Sequence, residues 1–287
     1  MSISDVEFII LGSGTSAGVP VIGCRCAVCT SGDPRNTRLR TAACVQFSDA
    51  SGTRRLILID TGPDLRQQAL RHGLSRCDAI VYTHNHVDHT FGLDEVRRFN
   101  VIMNAPIDLY AEPRTLGDLN RVYRHIFERQ NNVNDSFVAT LIPHEIDEDH
   151  PLDLYGMRFT PLRLLHGRLP ILGFRLDALD ALDAHGQVAG VAHAQPGPLP
   201  LAYCTDVSAV PPQTWGRLTG LDTLILDMLR YRRHPTHLSL DEAVEIAGRI
   251  TADRTWFIHM THDIDHADCD GSLPEGMALA YDGLVLR

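Results

Sequence analysis

The sequence predicts an α/β fold, and three observations support this prediction. Short apolar runs of the kind that form buried strands alternate with polar loops and amphipathic helical segments over most of the chain. The composition, 44% hydrophobic and 22% charged, is that of a globular protein. A chain of 287 residues can bury about 75% of the surface of its unfolded form without cross-links. These features exclude a disordered chain, a coiled coil and a disulfide-rich miniprotein.

In the first half of the chain, apolar runs bounded by turn residues predict five strands. They lie at 6–11, 43–47, 55–60, 79–83 and 107–110. The Asp-Ala-Ser-Gly segment at 49–52 predicts a turn that joins two adjacent strands. Helices are predicted at 64–72, 93–99 and 114–129. The last is predicted because its apolar residues are spaced for one face: Leu116, Leu119, Val122, Tyr123 and Ile126.

The second half continues the alternation of strands with loops and helices. Strands are predicted at 157–165, 171–176, 199–204, 221–226 and 256–258. The segment 178–198, rich in Ala, Gly, His and Pro, predicts a hairpin loop. Ser239, followed three residues later by Glu242, predicts a capping box at the start of a helix.

Charge and hydropathy limit the classes of partner. The chain has 26 Lys and Arg against 36 Asp and Glu, a net charge of −10, which argues against binding nucleic acid by general electrostatic attraction. No run approaches the roughly 20 apolar residues of a membrane span. The first residues carry acid where a secretory signal would carry base. We therefore expect a cytoplasmic protein that binds no membrane.

Residues that can bind metals follow the ends of several predicted strands. The run His-Asn-His-Val-Asp-His at 84–89 comes directly after one strand, and His166, Asp206 and His259 follow three others. A single histidine at a strand end is most often structural. Because ligand sites favour strand ends, the recurrence at four of them predicts a metal centre instead. The chain also contains 15 His, and His is the commonest metal ligand.

The spacing of these residues predicts two metal ions. The two alternating histidines at the start of the run would face one ion, and the Asp-His pair at its end would face a second. His166 and His259 would complete one ion each, and Asp206 would bridge both. Such a set leaves positions open for water and substrate, which is typical of a catalytic rather than a structural metal site.

A second candidate metal site lies near the start of the chain. Cys24, Cys26 and Cys29 are closely spaced, and in a reducing compartment such spacing favours a metal over a disulfide. Three thiolates need a fourth ligand for tetrahedral zinc. Three ordinary reduced cysteines are the alternative.

The run at 84–89 resembles the signature of the metallo-β-lactamase superfamily. By this resemblance, the later ligands of the superfamily fall on His166, Asp206 and His259, across almost the whole chain. The resemblance implies an αββα four-layer metallo-β-lactamase sandwich, formed as a single domain over 1–287. It also implies a hydrolase.

Within the superfamily, the sequence is most similar to the phosphoribosyl 1,2-cyclic phosphate phosphodiesterases of the carbon-phosphorus lyase pathway. Four segments support this similarity: Leu11-Gly12-Ser13-Gly14-Thr15 with Gly18-Val19-Pro20, Gly23-Cys24-x-Cys26-x-x-Cys29, Thr236-His237-Leu238-Ser239-Leu240, and His259-Met260-Thr261-His262. The cysteine segment is the most discriminating. The resemblance supplies His262 as the fourth ligand of the cysteine site, and so implies a closed structural zinc site close to the catalytic centre.

The resemblance also implies roles for His237 and Asp60, and other residues are candidates from their position in the sequence. His237 would be the catalytic histidine, contacting the phosphoryl group or protonating the leaving oxygen; a surface histidine beside the helix cap is the alternative. Asp88 is expected to be catalytic as well as a ligand. Asp60 would hold a ligand histidine in its tautomer, with a plain turn residue as the alternative. Three nearby arginines could meet phosphate or ribose oxygens, although solvated charge is the favoured interpretation: Arg230, Arg232 and Arg233.

We therefore expect a metal-dependent phosphodiesterase that hydrolyses small cyclic phosphate diesters, such as phosphoribosyl 1,2-cyclic phosphate, with hydroxide activated by a dinuclear centre. The expected cofactors are two divalent catalytic ions, Mn²⁺ or Zn²⁺, and one structural Zn²⁺. The expected partner is a small phosphate ester rather than nucleic acid, and a homodimer is expected for a soluble enzyme.

Two alternatives stay open. A nuclease of the transfer-RNA 3′-processing type shares the ligand set, but the sequence has no Lys- and Arg-rich insertion to bind RNA. A non-hydrolytic or binding protein like the pyrroloquinoline quinone biosynthesis protein is the other alternative. The complete ligand set weighs against it, because an inactive descendant need not keep seven ligands.

Overall fold

The computed structural model describes residues 2–133, 137–182 and 197–287. In chain order, the strands of these ranges are β1 (Ser4–Gly12), β2 (Ala42–Ser48), β3 (Arg54–Ile59), β4 (Ala79–Val81), β5 (Ile107–Ala111), β6 (Leu141–Glu145), β7 (Leu152–Leu154), β8 (Met157–His166), β9 (Leu169–Ala178), β10 (Leu201–Cys204), β11 (Thr223–Asp227), β12 (Arg254–Ile258), β13 (Met277–Leu279) and β14 (Val285–Leu286). They form two sheets of seven strands each.

The helices are mostly short. The α-helices of the same ranges are α1 (Leu65–Arg71), α2 (Val87–Thr90), α3 (Arg97–Met103), α4 (Pro113–Val122), α5 (Arg124–Phe127), α6 (Leu240–Ile250) and α7 (His266–Asp270). Single turns of 3-10 helix lie at Pro34–Asn36, Leu93–Val96, Arg129–Asn131 and Leu179–Ala181, with a longer one at Pro212–Leu218. None of the helices in these ranges combines the length and apolar character that a membrane span requires.

The two sheets have the same plan. The first has the order β14-β1-β2-β3-β4-β5-β6, and the second has the order β13-β12-β11-β10-β9-β8-β7. In each sheet one half is antiparallel, and the other half consists of four parallel strands: β3 to β6 in the first sheet and β10 to β13 in the second. Because parallel strands end at the same edge, each sheet presents a row of carboxyl ends from which loops can converge.

Three apolar clusters hold the layers together. The first contains buried residues of both sheets, such as Phe8, Phe174 and Tyr203, and lies between them. The second lies under the helices that cover the first sheet, and the third lies under those that cover the second, where α6 buries Ala243 and Ala247. A helical layer thus covers the outer face of each sheet, which confirms the predicted αββα sandwich.

The strands that the apolar pattern missed are the edge strands of both sheets. β6, β7, β13 and β14 each pair on one side only. An edge strand is partly exposed and often carries charge or proline, so it lacks a continuous apolar run. β6, with the sequence Leu-Ile-Pro-His-Glu and only partial burial, is an example. All ten predicted strands are present, with bounds that differ by a few residues.

Of two other predictions, one is wrong and the other falls largely outside the described residues. The single helix predicted at 114–129 is wrong: α4 ends at Val122, and α5 begins at Arg124. Tyr123 leaves the helical conformation, and its buried hydroxyl donates to the carbonyl oxygen of Thr90 at 3.0 Å, so a tertiary contact interrupts the helix. Most of the loop predicted at 178–198 lies at 183–196, outside the described residues.

A close backbone contact places the loop after β3 against α2. The N–H of Thr61 donates to the carbonyl oxygen of His89 at 2.8 Å. A Cβ atom added at Gly62 would lie 2.2 Å from the carbonyl oxygen of Asp88, so only glycine permits this approach. The contact brings Asp60 next to the side chain of His89.

Gly62→Ala should therefore lower the free energy of unfolding by about 1 to 3 kcal/mol, as overpacking of a tight contact does. Gly117→Ala is the matched control, because Gly117 lies in α4 with no atom within 4 Å of an added Cβ. That substitution should raise stability by up to about 1 kcal/mol. Denaturant unfolding of both variants tests the contact, and equal effects of the two substitutions would contradict it.

Candidate metal centres and active site

The predicted ligands meet at the carboxyl edges of the two sheets. The first sheet contributes the run 84–89, which leaves β4 and continues into α2. The second sheet contributes His166 at the end of β8, Asp206 after β10 and His259 directly after β12. The site therefore lies between loops of both sheets, at the end of the sandwich where the parallel strands terminate.

The structure sorts these side chains into two groups. Their ligand atoms lie within 4.8 Å of one another in the group His84, His86 and His166 and in the group Asp88, His89, Asp206 and His259. Asp206 also groups with His166, so its carboxylate lies between the two groups of side chains. Its two oxygens lie 3.2 Å from Nε2 of His89 and 3.3 Å from Nε2 of His259. This division matches the one that the sequence spacing predicted.

A chain of hydrogen bonds from Asp60 orients two of the histidines. Oδ2 of Asp60 accepts from Nδ1 of His89 at 2.7 Å and from the hydroxyl of Thr83 at 2.7 Å. Because Thr83 gives its only hydroxyl proton to Asp60, it must accept from Nδ1 of His84, 2.9 Å away. Both rings therefore direct Nε2 to the centre, and Asp60 has the contact that the resemblance implied.

The remaining ring nitrogens fit divalent cations. Nδ1 of His166 donates to the carbonyl oxygen of Thr236 at 2.7 Å, which leaves its Nε2 for a ligand. Among the described residues, Nε2 of His84, Nε2 of His89 and both ring nitrogens of His259 are buried without a hydrogen-bond partner. Buried polar atoms without a partner are costly, and imidazole nitrogen with carboxylate oxygen suits Mn²⁺ or Zn²⁺. The donor set thus fits the two ions that the sequence predicted.

The buried charges also favour a cation. Burial by itself would lower the pKa of His89, but the carboxylates of Asp206, Asp60 and Asp88 raise that pKa well above its usual value. Burial would likewise raise the pKa of Asp206, yet His259 and His89 hold it well below its usual value. Several buried carboxylates therefore converge on one space and stabilise positive charge there.

Three residues of the centre have a left-handed backbone: Asp60 with φ 65°, Asp206 with φ 59° and His259 with φ 67°. This conformation costs an L-residue about 1 to 2 kcal/mol. Each of the three follows the carboxyl end of a strand, where the chain turns away from the sheet. Strain of this kind is concentrated at functional sites, because the surrounding packing must maintain it.

His237 lies at the same centre. Its ring stacks on that of His259 with the centroids 4.6 Å apart, and it groups with His166 and Asp206. Only 9% of the residue is exposed, and burial lowers the pKa of its imidazole. The structure therefore does not place His237 on the surface, which was the alternative to a catalytic role.

Asp227, the last residue of β11, is the buried carboxyl that positions His237. Its Oδ1 accepts from Nδ1 of His237 at 3.1 Å, and its Oδ2 accepts from the N–H of Leu238 at 3.0 Å. The same Oδ1 lies 3.5 Å from Nδ1 of His259. Burial raises the pKa of Asp227 to about 8. The sequence alone did not single out this residue, although its place at the end of a predicted strand was a signal.

Two of the three arginines before His237 pair with acids outside the groups of candidate ligands, whereas Arg230 is half-buried and donates to the carbonyl oxygens of Arg232 and Arg233 at 3.3 and 3.4 Å. Arg232 and Arg233 are largely exposed and pair with Asp263 at 3.7 Å and Glu242 at 3.1 Å. Solvated charge was the favoured interpretation of the three arginines, and the placement of Arg232 and Arg233 agrees with it.

The three cysteines lie around His262, the fourth ligand that the resemblance implied. Nδ1 of His262 lies 3.2 Å from Sγ of Cys24, 3.5 Å from Sγ of Cys26 and 3.4 Å from Sγ of Cys29. A tetrahedron with Zn–S of about 2.3 Å and Zn–N of about 2.0 Å has an S–N edge of about 3.5 Å. One ring nitrogen cannot satisfy three thiols by hydrogen bonding, so the geometry fits Zn²⁺.

Local backbone groups support thiolate at this site. The N–H of Cys29 donates to Sγ of Cys26 at 3.4 Å and lowers the pKa of Cys26 to about 6. The N–H of Val21 donates to Sγ of Cys29 at 3.4 Å, but burial outweighs this bond and raises the pKa of Cys29 to about 11, so it is Cys26 that gains thiolate character. A lowered thiol pKa favours the form that binds metal.

A buried arginine joins the cysteine loop to the segment that carries the histidine. Arg38 is 1% exposed and donates to the carbonyl oxygens of Thr261 and Ile264, each at 2.8 Å. Burial lowers its pKa to about 10. Because the segment 259–262 contains candidate ligands of both centres, Arg38 ties the cysteine loop to the candidate dinuclear centre.

Known proteins are similar to this chain in fold and in sequence. Residues 55–260 match the family model of the β-lactamase superfamily domain. A crystal structure described as a new diphosphatase from the PhnP family has a TM-score of 0.82 and 40% identity, covering 98% of this chain and 97% of that one.

Two further similar proteins are bacterial. An octanoyltransferase of Porphyromonas gingivalis is 33% identical over 96% of this chain and 50% of its own length. The chain thus spans half the length of that relative. The coenzyme PQQ synthesis protein B of Methylorubrum populi is 28% identical and covers 77% of this chain and 72% of its own length.

Cys26→Ala should remove one zinc ion per chain and lower the melting temperature by several degrees, because three remaining ligands cannot close the tetrahedron. Elemental analysis of the purified variant measures the loss. Cys77→Ala is the control, since Cys77 is buried outside the site, and it should keep all of its zinc. Full zinc content in Cys26→Ala would contradict the assignment.

Proposed function

Because this chain belongs to the β-lactamase superfamily, we propose that it is a metal-dependent phosphodiesterase acting on a small phosphate diester. The observation that carries the proposal is the convergence of seven candidate ligands and His237 on one centre. The centre is accessible on one side, where His86 is exposed. A closed structural site would have no use for an exposed ligand or for a buried histidine held beside the metals.

The two groups of side chains would hold one divalent cation each. His84, His86 and His166 would hold the first, and the group around His89 would hold the second, with Asp206 between them. Divalent cations bound there supply Lewis-acid stabilisation of the phosphoryl oxygens and lower the pKa of the attacking water. Asp60 keeps the rings in the orientation that binding requires.

His237 is the proton donor in this proposal. Hydrolysis adds one water: a bond from phosphorus to the water oxygen forms, the bond to the leaving oxygen breaks, and the leaving oxygen takes a proton. Asp227 holds Nδ1 of His237, so Nε2 is the nitrogen that can give that proton. Burial lowers the pKa of His237, so a smaller fraction of the ring carries the proton at neutral pH, whereas the protonated fraction is a stronger acid.

We favour a cyclic diester, such as phosphoribosyl 1,2-cyclic phosphate, as the substrate. The segments around the cysteines and around His237 support this choice, because the sequence resembles that branch of the superfamily there. A net charge of −10 is compatible with an anionic substrate, since the two cations would supply the attraction. The same charge weighs against a nuclease that relies on a basic surface.

A diphosphate bond is the second candidate. The relative with 40% identity over nearly the whole chain is described as a diphosphatase, which supports hydrolysis of a phosphoanhydride at the same centre. The two candidates differ in the bond that is broken, P–O–C or P–O–P. Measuring kcat/KM for a ribose 1,2-cyclic phosphate and for a dinucleoside diphosphate under the same conditions separates them.

The metal content and the hydrolysis of bis(p-nitrophenyl) phosphate test the proposal together. We expect about three ions per chain, two of them at the dinuclear centre, and turnover in the presence of Mn²⁺ or Zn²⁺. One ion or none, with no turnover after either metal is supplied, would instead favour a binding protein.

Asp88→Ala should abolish turnover while the fold survives, because Asp88 belongs to the buried ligand group. Asp149→Ala is the matched control, since Asp149 is exposed and lies outside both groups. Steady-state rates and circular dichroism of both variants are the measurements. Unchanged activity in Asp88→Ala would exclude the two-metal centre.

His237→Ala should reduce kcat by roughly 10²- to 10⁴-fold, the usual contribution of a general acid, and should leave the metal content unchanged. His150→Ala, at an exposed position, is the control for loss of a histidine. If His237→Ala loses metal in elemental analysis, the residue is a ligand and not the acid.

A further inference from the structure

The loop between β11 and α6 carries polar side chains that the proposed reaction leaves unused. Two backbone hydrogen bonds close the base of this loop. The N–H of Leu240 donates to the carbonyl oxygen of Arg230 at 2.9 Å, and the N–H of Leu229 donates to the carbonyl oxygen of Leu238 at 2.9 Å. Arg230 is therefore held opposite the residues that directly follow His237.

The same loop reaches the candidate ligands. Nδ1 of His166 donates to the carbonyl oxygen of Thr236 at 2.7 Å, and a Cβ atom added at Gly167 would lie 2.8 Å from Cγ2 of Thr236. The ring centroids of His166 and His237 are 4.5 Å apart, and those of His237 and His234 are 5.4 Å apart. His234 thus lies one ring further from the metal-binding groups than His237 does.

Arg230 has an unused hydrogen-bond donor. Its Nε and Nη2 donate to the carbonyl oxygens of Arg232 and Arg233 at 3.3 and 3.4 Å, which fixes the guanidinium. Among the described residues, its Nη1 has no hydrogen-bond partner, and the half-buried side chain forms no ion pair with an acid. In a chain with a net charge of −10, a fixed guanidinium without a carboxylate can accept an anion from outside.

His234 also directs a free donor away from its own loop. Its Nδ1 accepts from the N–H of Thr236 at 3.4 Å, so the neutral ring carries its proton on Nε2. In the described part of the chain, this Nε2 has no partner. Burial, the ring of His237 and the charge of Arg230 lower the pKa of His234. The charge of Arg230 therefore acts at this ring, which is neutral and donates through Nε2 at neutral pH.

We propose that Arg230 and His234 bind a second anionic group of the substrate, a phosphate monoester that a sugar separates from the reacting diester. This inference rests on the proposed phosphodiesterase function and assigns a binding site to one part of its substrate. Nη1 of Arg230 and Nε2 of His234 are the donors. The favoured substrate, phosphoribosyl 1,2-cyclic phosphate, carries such a group.

The position of His234 argues for a separated phosphate. The two phosphorus atoms of a diphosphate share one oxygen, so the second phosphate would stay beside the ions and His237. His234 belongs to none of the groups of candidate ligand atoms in the described ranges, and the ring of His237 lies on its side towards His166. A neutral substituent would leave the charge of Arg230 without a partner. A sugar phosphate meets both conditions.

Two cyclic esters test this site: 5-phosphoribosyl 1,2-cyclic phosphate and ribose 1,2-cyclic phosphate. In both, water attacks phosphorus, one P–O bond of the ring breaks, and the freed oxygen takes a proton, so the product is a phosphate monoester. They differ only in the 5-phosphate. Arg230→Gln should lower kcat/KM for the phosphorylated ester about 10- to 100-fold more than for the ribose ester, chiefly through KM, because it removes a charge-assisted hydrogen bond.

Arg232→Gln is the matched control, because it makes the same change of charge in the same loop. The side chain of Arg232 is 79% exposed and pairs with Asp263 at 3.7 Å. This variant should leave the ratio of the two kcat/KM values unchanged. His234→Ala should shift the ratio in the same direction as Arg230→Gln but less, since a neutral donor binds an anion less strongly. Initial rates are followed by phosphorus NMR, and metal content is measured for every variant.

The outcomes distinguish this inference from the proposed function. If the wild-type protein hydrolyses neither cyclic ester nor bis(p-nitrophenyl) phosphate with Mn²⁺ or Zn²⁺, the phosphodiesterase proposal fails and the inference fails with it. If it hydrolyses bis(p-nitrophenyl) phosphate but the 5-phosphate gives no gain in kcat/KM, only this inference is overturned. Equal shifts of the ratio in Arg230→Gln and Arg232→Gln would also overturn it, since they indicate a general effect of charge. A selective loss in Arg230→Gln alone of these two supports it.

Discussion

The carboxylate of Asp60 is the contact on which the rest of the centre depends. It accepts from His89 and from Thr83, and Thr83 in turn accepts from His84, so one buried group orients a ring from each ligand group. The close approach of Gly62 to α2 makes this possible, because any side chain there would separate the two loops. A metal centre needs ligands that are oriented before the ion arrives, and here a single hydrogen-bonded chain supplies the orientation.

The second sheet contributes in a complementary way. Asp206 and His259 reach the centre through left-handed turns at strand ends, and Asp227 holds His237 against His259. The cysteine site then fixes the segment after His259, since His262 lies among the three sulfurs and Arg38 anchors the carbonyl oxygens nearby. Strain at the turns is thus balanced by contacts that only the packed sandwich provides.

The sequence by itself determined the fold class, the central strands and the two sets of candidate ligands, because apolar runs, strand-end histidines and cysteine spacing are local signals. The tertiary structure decided the edge strands, the break at Tyr123 and the role of Asp227. Each of these depends on contacts between residues far apart in the chain: pairing at one edge, a hydroxyl reaching Thr90, and a buried carboxyl meeting a histidine from the next loop. Local patterns carry no record of such partners, so only the folded chain reveals them.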